Sequence, residues 1–338
     1  MRSSRHAAVL LAATGLLAAG LSAPAHAAPV FSSSDSDGAA NYFNQSAVPC
    51  TVSNLVATPP ANDVPVVENG PATTVTYSNS GRLSLNSDTT DFIDFASSIT
   101  AKLQVKSSGG NPSTVTYDAI GTIRTAASKG TSACKVEVYN DVDLDADFTV
   151  TDPGFLFYDY HSGVHSYSEI RVTRSDSHYV NVYSEQSAWK GSGRQFVDPG
   201  LYTLYLDGQG WITGTSTTVG PSPVNIGLHL RYAKAGSALQ KAKGKAKPYV
   251  KFPRARSCAT HDVRLKTKSK ASKASLVKLL VNGKVVKTIK NPKGGEKANL
   301  QVADNLDAAV VARVTLKPTK KGAKPVTVES SASYLACG

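Results

Sequence analysis

The 338-residue sequence predicts an all-β protein, an N-terminal β-sandwich or jelly roll followed by an Ig-like β-sandwich. Three observations carry the prediction. Apolar residues recur at every second position, turn residues punctuate the chain at short intervals, and no segment shows the spacing of an amphipathic helix of three turns. Short strands joined by frequent turns are the pattern of sandwiches and jelly rolls.

The chain opens with Arg2 and Arg5, an uncharged apolar run from Ala7 to Leu21, and the small-x-small sequence Ala25-His26-Ala27. This is the form of a signal peptide over residues 1–27, and the run is too short and too rich in Ala and Gly to cross ~30 Å of hydrocarbon. The expected mature chain begins at Ala28, has no later segment able to anchor it, and is secreted, either released or held at the cell envelope only by non-covalent contacts. Residues 31–38 are rich in Ser and Asp and are expected to be disordered.

Residues 28–232 read as an acidic β-sandwich or jelly-roll domain, compatible with one sandwich or two. Its clearest strand runs from Cys134 to Val150: Val136, Val138, Val142, Leu144, Ala146 and Phe148 take one phase, Glu137, Tyr139, Asp141, Asp143, Asp145 and Asp147 the other. Period two over that length means one buried face. Leu201 to Leu206 and Val224 to Leu230 alternate likewise, and turns are expected at Gly109-Gly110-Asn111-Pro112, Asp152-Pro153-Gly154, Asp198-Pro199-Gly200 and Asp207-Gly208-Gln209-Gly210. Residues 233–250, where Lys, Ala and Gly replace the alternation, are expected to be a flexible linker.

Residues 251–338 form a basic domain. Val263 to Thr267 reads as a strand, and Leu276 to Val281 pairs with Lys284 to Ile289 across Asn282-Gly283, the strongest two-residue hairpin signal. Further strands are expected at Ala298 to Val302, Val310 to Leu316 and Val326 to Ser330. With its strand ending in an Asn-Gly-Lys hairpin, this quarter of the chain resembles the bacterial Ig-like modules appended to secreted and surface proteins. The resemblance implies a spacer or binding role.

Export fits Cys50, Cys134, Cys258 and Cys337, an even set with no C-x-x-C spacing. Three connectivities exist. Cys50 with Cys134 and Cys258 with Cys337 is the one that crosses no domain boundary, and each bridge would stabilise by roughly 4 to 5 kcal/mol in the chain-entropy account.

Charge is divided sharply. From Ala28 to Ala233 there are 11 Lys and Arg against 20 Asp and Glu, a net −9; from Lys234 to Gly338 there are 24 against 5, a net +19. Two modules with different partners are implied. The basic half, with five lysines between Lys266 and Lys278, is expected to attract anionic envelope polymers in a salt-dependent manner with little sequence selectivity, which argues against specific nucleic-acid recognition.

Two constellations stand out. Asp141, Asp143, Asp145 and Asp147 share one strand face, where calcium is the expected neutralising ion in an extracellular medium; the competing reading is a solvated face that keeps a strand soluble. Of 25 aromatic residues, 12 lie between Phe155 and Trp211. Among them Trp189, in a polar Gly-rich segment, and Tyr158 and Tyr160, flanking Asp159 and His161, are candidates to contact a ligand such as carbohydrate, the rings supplying apolar area and the polar groups hydrogen bonds; the competing reading is structural packing in the core. No H-E-x-x-H, G-x-S-x-G or Walker sequence occurs, and Ser187-x-x-Lys190 lacks its companion motifs. The expected function is therefore a non-catalytic binding or adhesion-type protein of the bacterial exterior. The alternative is a secreted carbohydrate-active or other hydrolytic enzyme with a site dispersed in residues 155–211.

Overall fold

The computed structural model describes residues 29–58, 61–164, 166–176, 179–182, 190–216, 219–320 and 322–338. The expected signal peptide and Trp189 lie outside the described residues. Essentially all regular structure is antiparallel strand, so the all-β expectation holds.

In chain order the first thirteen strands are β1 (Phe31–Asn44), β2 (Cys50–Ala57), β3 (Ala61–Pro65), β4 (Thr73–Leu85), β5 (Asp88–Ser108), β6 (Asn111–Ala127), β7 (Thr131–Val150), β8 (Gly154–Ser162), β9 (Ser166–Arg174), β10 (Tyr179–Val182), β11 (Lys190–Val197), β12 (Gly200–Ser216) and β13 (Val219–Lys234). They form a six-stranded sheet ordered β10-β9-β12-β7-β1-β3 and a seven-stranded sheet ordered β11-β8-β13-β6-β5-β4-β2. One core lies between them, contributed by the inward phases of both sheets: Val136, Val138, Val142 and Leu144 from β7, Leu204 and Leu206 from β12, Ile99, Leu103, Tyr117, Ile226 and Leu228 from the facing sheet. The Tyr117 hydroxyl, fully buried, crosses this core and donates to the Val142 carbonyl at 2.7 Å. The Cys50–Cys134 bridge, Cα to Cα 6.1 Å, joins β2 of one sheet to β7 of the other.

The alternation expected from Cys134 to Val150 is one unbroken strand, β7, buried on every second residue. Two expectations fail nearby. Residues 31–38 are not disordered, because β1 runs through them and pairs with β7 from Phe31 opposite Phe148 to Asn44 opposite Val136, with a register shift after Phe31; its buried residues include Phe31, Ser36 and Ala40. No turn occurs at Asp207 to Gly210 either, since β12 continues to Ser216. The glycines there serve a close approach: a Cβ on Gly208 would collide with the Tyr117 ring and hydroxyl.

The remaining strands are β14 (Ala238–Gly244), β15 (Val250–Lys251), β16 (Asp262–Thr267), β17 (Ala274–Val281), β18 (Lys284–Lys290), β19 (Lys297–Gln301), β20 (Ala308–Leu316) and β21 (Thr327–Tyr334), with a short 3-10 turn at Ser269–Lys273. They make a five-stranded sheet, β14-β21-β20-β17-β18, and a three-stranded sheet, β15-β16-β19, around a second core of Val263, Leu265, Val277, Leu279, Leu300, Val310, Val314 and Tyr334. The Asn282-Gly283 hairpin is present with both residues at positive φ, 48° and 82°, as such a two-residue turn requires. Cys258 is bonded to Cys337, Cα to Cα 5.4 Å.

The segment expected to be a flexible linker is ordered β-structure. β14 pairs with β21 from Ala238 opposite Tyr334 to Gly244 opposite Ser330, and Ala238, Ala242, Ala246 and Tyr249 reach the second core while Lys241, Lys243 and Lys245 face solvent. Its small apolar residues bury little area each, which is why alternation was not evident, but they seal a sheet edge. The two halves touch through Phe155, Leu335 and Ala336, with Phe157 and Phe196 packed around them, and through an Arg194 to Asp307 ion pair at 2.7 Å.

Candidate functional site

The outer face of the six-stranded sheet carries the densest chemistry. Alternation along β7 turns Asp141, Asp143, Asp145 and Asp147 away from the core, and register then fixes their neighbours across the sheet. Asp143 lies opposite Asp207 of β12, which lies opposite Glu169 of β9; Asp145 lies between Tyr205 of β12 and Asp35 of β1; Asp141 lies beside Gln209. Asp37 and Asp63 extend the row, the Asp63 amide donating to the Asp37 carboxylate at 2.6 Å.

Such a row departs from a freely solvated face. Asp207 is 3% exposed, and one oxygen each of Asp141, Asp143 and Asp207 is buried without a protein donor. Burial, then the charge of Asp143, pushes Asp141 and Asp145 up to about 6. Asp207 is raised much further, by burial and by the charge of Asp143 opposite, and Asp143 is itself raised by burial. Arg171 offsets this charge only locally, bonding Glu169 at 2.5 Å.

The four aspartates expected to hold calcium lie along a strand, alternate residues being ~6.6 Å apart at the repeat of an extended chain. Calcium needs six to eight oxygens around one point. Among the described residues, no group of three or more His, Cys, Asp or Glu is arranged to hold a metal ion.

Beside the acidic row, on the same face, is an aromatic platform. Tyr139 of β7 lies between Asn41 of β1 and Trp211 of β12, and Phe43 stacks on Tyr139 with ring centroids 5.3 Å apart. Together with Tyr167, Glu137 and Gln209 they line a shallow groove of about 410 Å³. Phe43 is 49% exposed and Trp211 36%. Hydrogen bonds orient the set: Asn41 donates to the Tyr139 hydroxyl at 3.0 Å, the Tyr167 hydroxyl to Glu169 at 3.1 Å, and the Gln209 amide to Asp207 at 2.9 Å. Trp211 and Tyr167 belong to the aromatic-rich stretch of the sequence. Phe43 and Tyr139 lie about 100 positions apart, and the signal joining them is that both fall on the outward phase of strands that pair.

The residues expected to bind ligand are separated by the strand that carries them. Tyr158 and Tyr160 point inward and pack on the core, their rings crossing Gly193 and Gly191 of the neighbouring β11, where a Cβ would strike the hydroxyls. Asp159 and His161 point outward. They therefore cannot form one ring-and-hydrogen-bond site with the tyrosines. Asp159 instead faces His229 of β13, Nδ1 to Oδ1 3.1 Å, and His229 Nε2 lies 2.8 Å from Asp118 of β6. Burial opposes charge on His229, but Asp118 and Asp159 outweigh it and raise its pKa. With a carboxylate at each nitrogen the charged form of the ring is favoured, and His229 bridges strands β6 and β8 as a cross-strand clamp. His161 Nε2 meets Asn225 at 3.3 Å. Ser192 lies opposite Asp159, two strands and ~10 Å from His229, so these residues form no serine–histidine relay.

No family model matches the chain, and no curated protein matches it. Among solved structures it is similar to the adhesin domain of Epf from Streptococcus pyogenes, at 12% identity over 87% of this chain and 90% of that chain, with a TM-score of 0.22. That score is too low to equate individual strands, so no residue or property of this chain follows from the likeness. The fold and face define the chain as an all-β protein presenting an aromatic and acidic sheet surface. Among the described residues no helix is long and apolar enough to cross a membrane.

Proposed function

We propose that this is a secreted, non-catalytic binding protein of the bacterial exterior. Its ligand-contact surface is the outer face of the six-stranded sheet, and its basic C-terminal half holds that surface near an anionic envelope polymer. The observation that carries the reading is the cluster of exposed Phe43 and Trp211 about half-buried Tyr139, with Glu137 and Gln209 at its border, on paired strands. Flat apolar rings bordered by a carboxylate and an amide suit the faces and hydroxyls of a sugar unit, and a shallow groove suits a chain lying across it more than a small molecule enclosed by it. The two disulfides suit an oxidising, extracytoplasmic setting.

Screening the mature chain against glycans by calorimetry, with Trp211→Ala and Tyr139→Ala alongside, tests the platform. A glycan that binds the natural chain and loses about tenfold or more in affinity with either variant supports it. A glycan whose binding is indifferent to both variants overturns the assignment of this face.

A further inference from the structure

We propose that a groove across the outer face of the three-stranded sheet binds a linear polymer of phosphate groups. The proposal deepens the reading of the basic half as the envelope-facing half, and it does not depend on the aromatic platform.

Register provides the first argument. Lys251 of β15 lies directly opposite Lys266 of β16, and Lys266 directly opposite Lys297 of β19. Three lysines thus stand in one row across three neighbouring strands, spaced by the ~4.8 Å between strands. Like charges placed opposite one another destabilise a sheet, so a sequence gains nothing structurally from this row. Arg264, one register step away and opposite Asn299, and Arg254 add two guanidinium groups to the same groove.

The second argument is that no acidic group among the described residues neutralises the row. This half has five acidic residues, and each is engaged by a group other than the three lysines, Asp262 by the groove's own Arg264. Asp262 accepts from Arg264 at 3.2 Å, Glu296 from the Lys293 amide at 2.5 Å, Asp304 meets His261 at 2.5 Å, Asp307 pairs with Arg194 at 2.7 Å, and Glu329 with Arg313 at 2.5 Å. Among the described residues none forms an ion pair with Lys251, Lys266 or Lys297, and all three are exposed.

Shape selects the ligand. The groove encloses about 800 Å³, and Phe252 and Pro253 line it beside the basic side chains. Its concavity suits a chain laid along the row better than a flat membrane. Arg254 has the planar fork that fits phosphate oxygens bidentately, while the lysines supply point charges along the polymer. A single-stranded nucleic acid would call for a succession of stacking faces, whereas the groove offers one half-buried ring, Phe252.

The test uses the full mature chain and linear inorganic polyphosphate as probe, with orthophosphate and oligo(dT) for comparison. The triple variant K251Q/K266Q/K297Q is set against K284Q/K287Q/K290Q, which removes equal charge from the exposed edge strand β18 of the other sheet. Supporting results are tight binding of polyphosphate over orthophosphate, a loss of about tenfold or more in the groove triple against less than about threefold in the edge triple, and a salt slope lowered by about 2 to 3 in the groove triple alone. Equal losses in both triples would show diffuse charge attraction and overturn the site. Tighter binding of oligo(dT), lost in Phe252→Ala, would overturn the choice of ligand. Unchanged thermal transitions confirm that both triples fold. Glycan binding at Trp211 measured on the same proteins separates failure of this site from failure of the platform.

Discussion

Raising the pH from 4 to 7 is expected to weaken the N-terminal half, against the usual behaviour of paired carboxylates. Asp141 and Asp145 each move from 3.8 to about 6 on folding. Because the folded-state values are raised, the native chain holds protons that the unfolded chain releases. The contribution is fully present below the unfolded value and is lost as the pH rises through about 6. Each proton contributes a slope of about 1.4 kcal/mol per pH unit, so each shift corresponds to about 3 kcal/mol if fully realised. Both carboxyls are only partly buried, and screening by water and salt is expected to halve this, leaving about 3 kcal/mol for the two together. The Asp143–Asp207 pair adds to the effect in the same direction.

For a domain of this size 3 kcal/mol amounts to a fall of about 6 to 12 °C in the thermal transition. The assay is differential scanning calorimetry from pH 4 to 7.5 at low salt, repeated with Asp141→Asn/Asp145→Asn. The natural chain is expected to show a transition that falls with pH, and the double variant a flatter and higher one at pH 7. A transition that is level or rises from pH 4.5 to 7 in the natural chain would refute the burial argument.

Four other outcomes are expected. Gly121→Ala should destabilise by about 1 to 3 kcal/mol, because its Cβ would overlap the Ser98 carbonyl of the paired strand and backbone cannot yield as a side chain can; denaturant unfolding measures it, and no change would show that β5 and β6 can part. Replacing Cys50 and Cys134 together by Ala should cost about 2 to 5 kcal/mol, since the bridge spans both sheets; urea midpoints of the double variant read the loss, and a shift under 1 kcal/mol would contradict it. His229 should titrate above 6.5 by NMR and fall back in Asp118→Asn, whereas a value unaffected by that variant would break the clamp. Calcium should raise the transition at pH 7 no more than magnesium at equal millimolar concentration, as screening of a row does; a saturable, calcium-specific rise would instead mean that the carboxylates gather around an ion.

Strand phase and the division of charge were legible in the sequence because each is local or a matter of counting, and the disulfide partners followed from the charge boundary that separates the two pairs. Period two in Cys134 to Val150 follows from the geometry of any extended chain, and the Asn282-Gly283 turn needs no distant partner. The failures occur where a second strand decides. Residues 31–38 look too polar to fold, yet pairing with β7 satisfies their backbone, buries Phe31 and Ser36, and leaves the other serines and the two aspartates on the outer face. Residues 238–244 have small, lysine-flanked side chains, and their place as β14 depends on an open edge at β21. Glycines at 191 and 193 read as loop until Tyr158 and Tyr160 are seen to lie across them.

The candidate sites show the same division. By itself the sequence determined that Asp141 to Asp147 share a face, that the lysines gather in the last third, and that the chain is built of strands, since alternation and composition are properties of one segment at a time. Tertiary structure alone decided that Asp207 stands against Asp143, that Phe43 and Tyr139 meet Trp211, and that Lys251, Lys266 and Lys297 form one row. Cross-strand register sets those neighbours, and register is fixed by the burial of the opposite face over a whole sheet, which no single strand encodes.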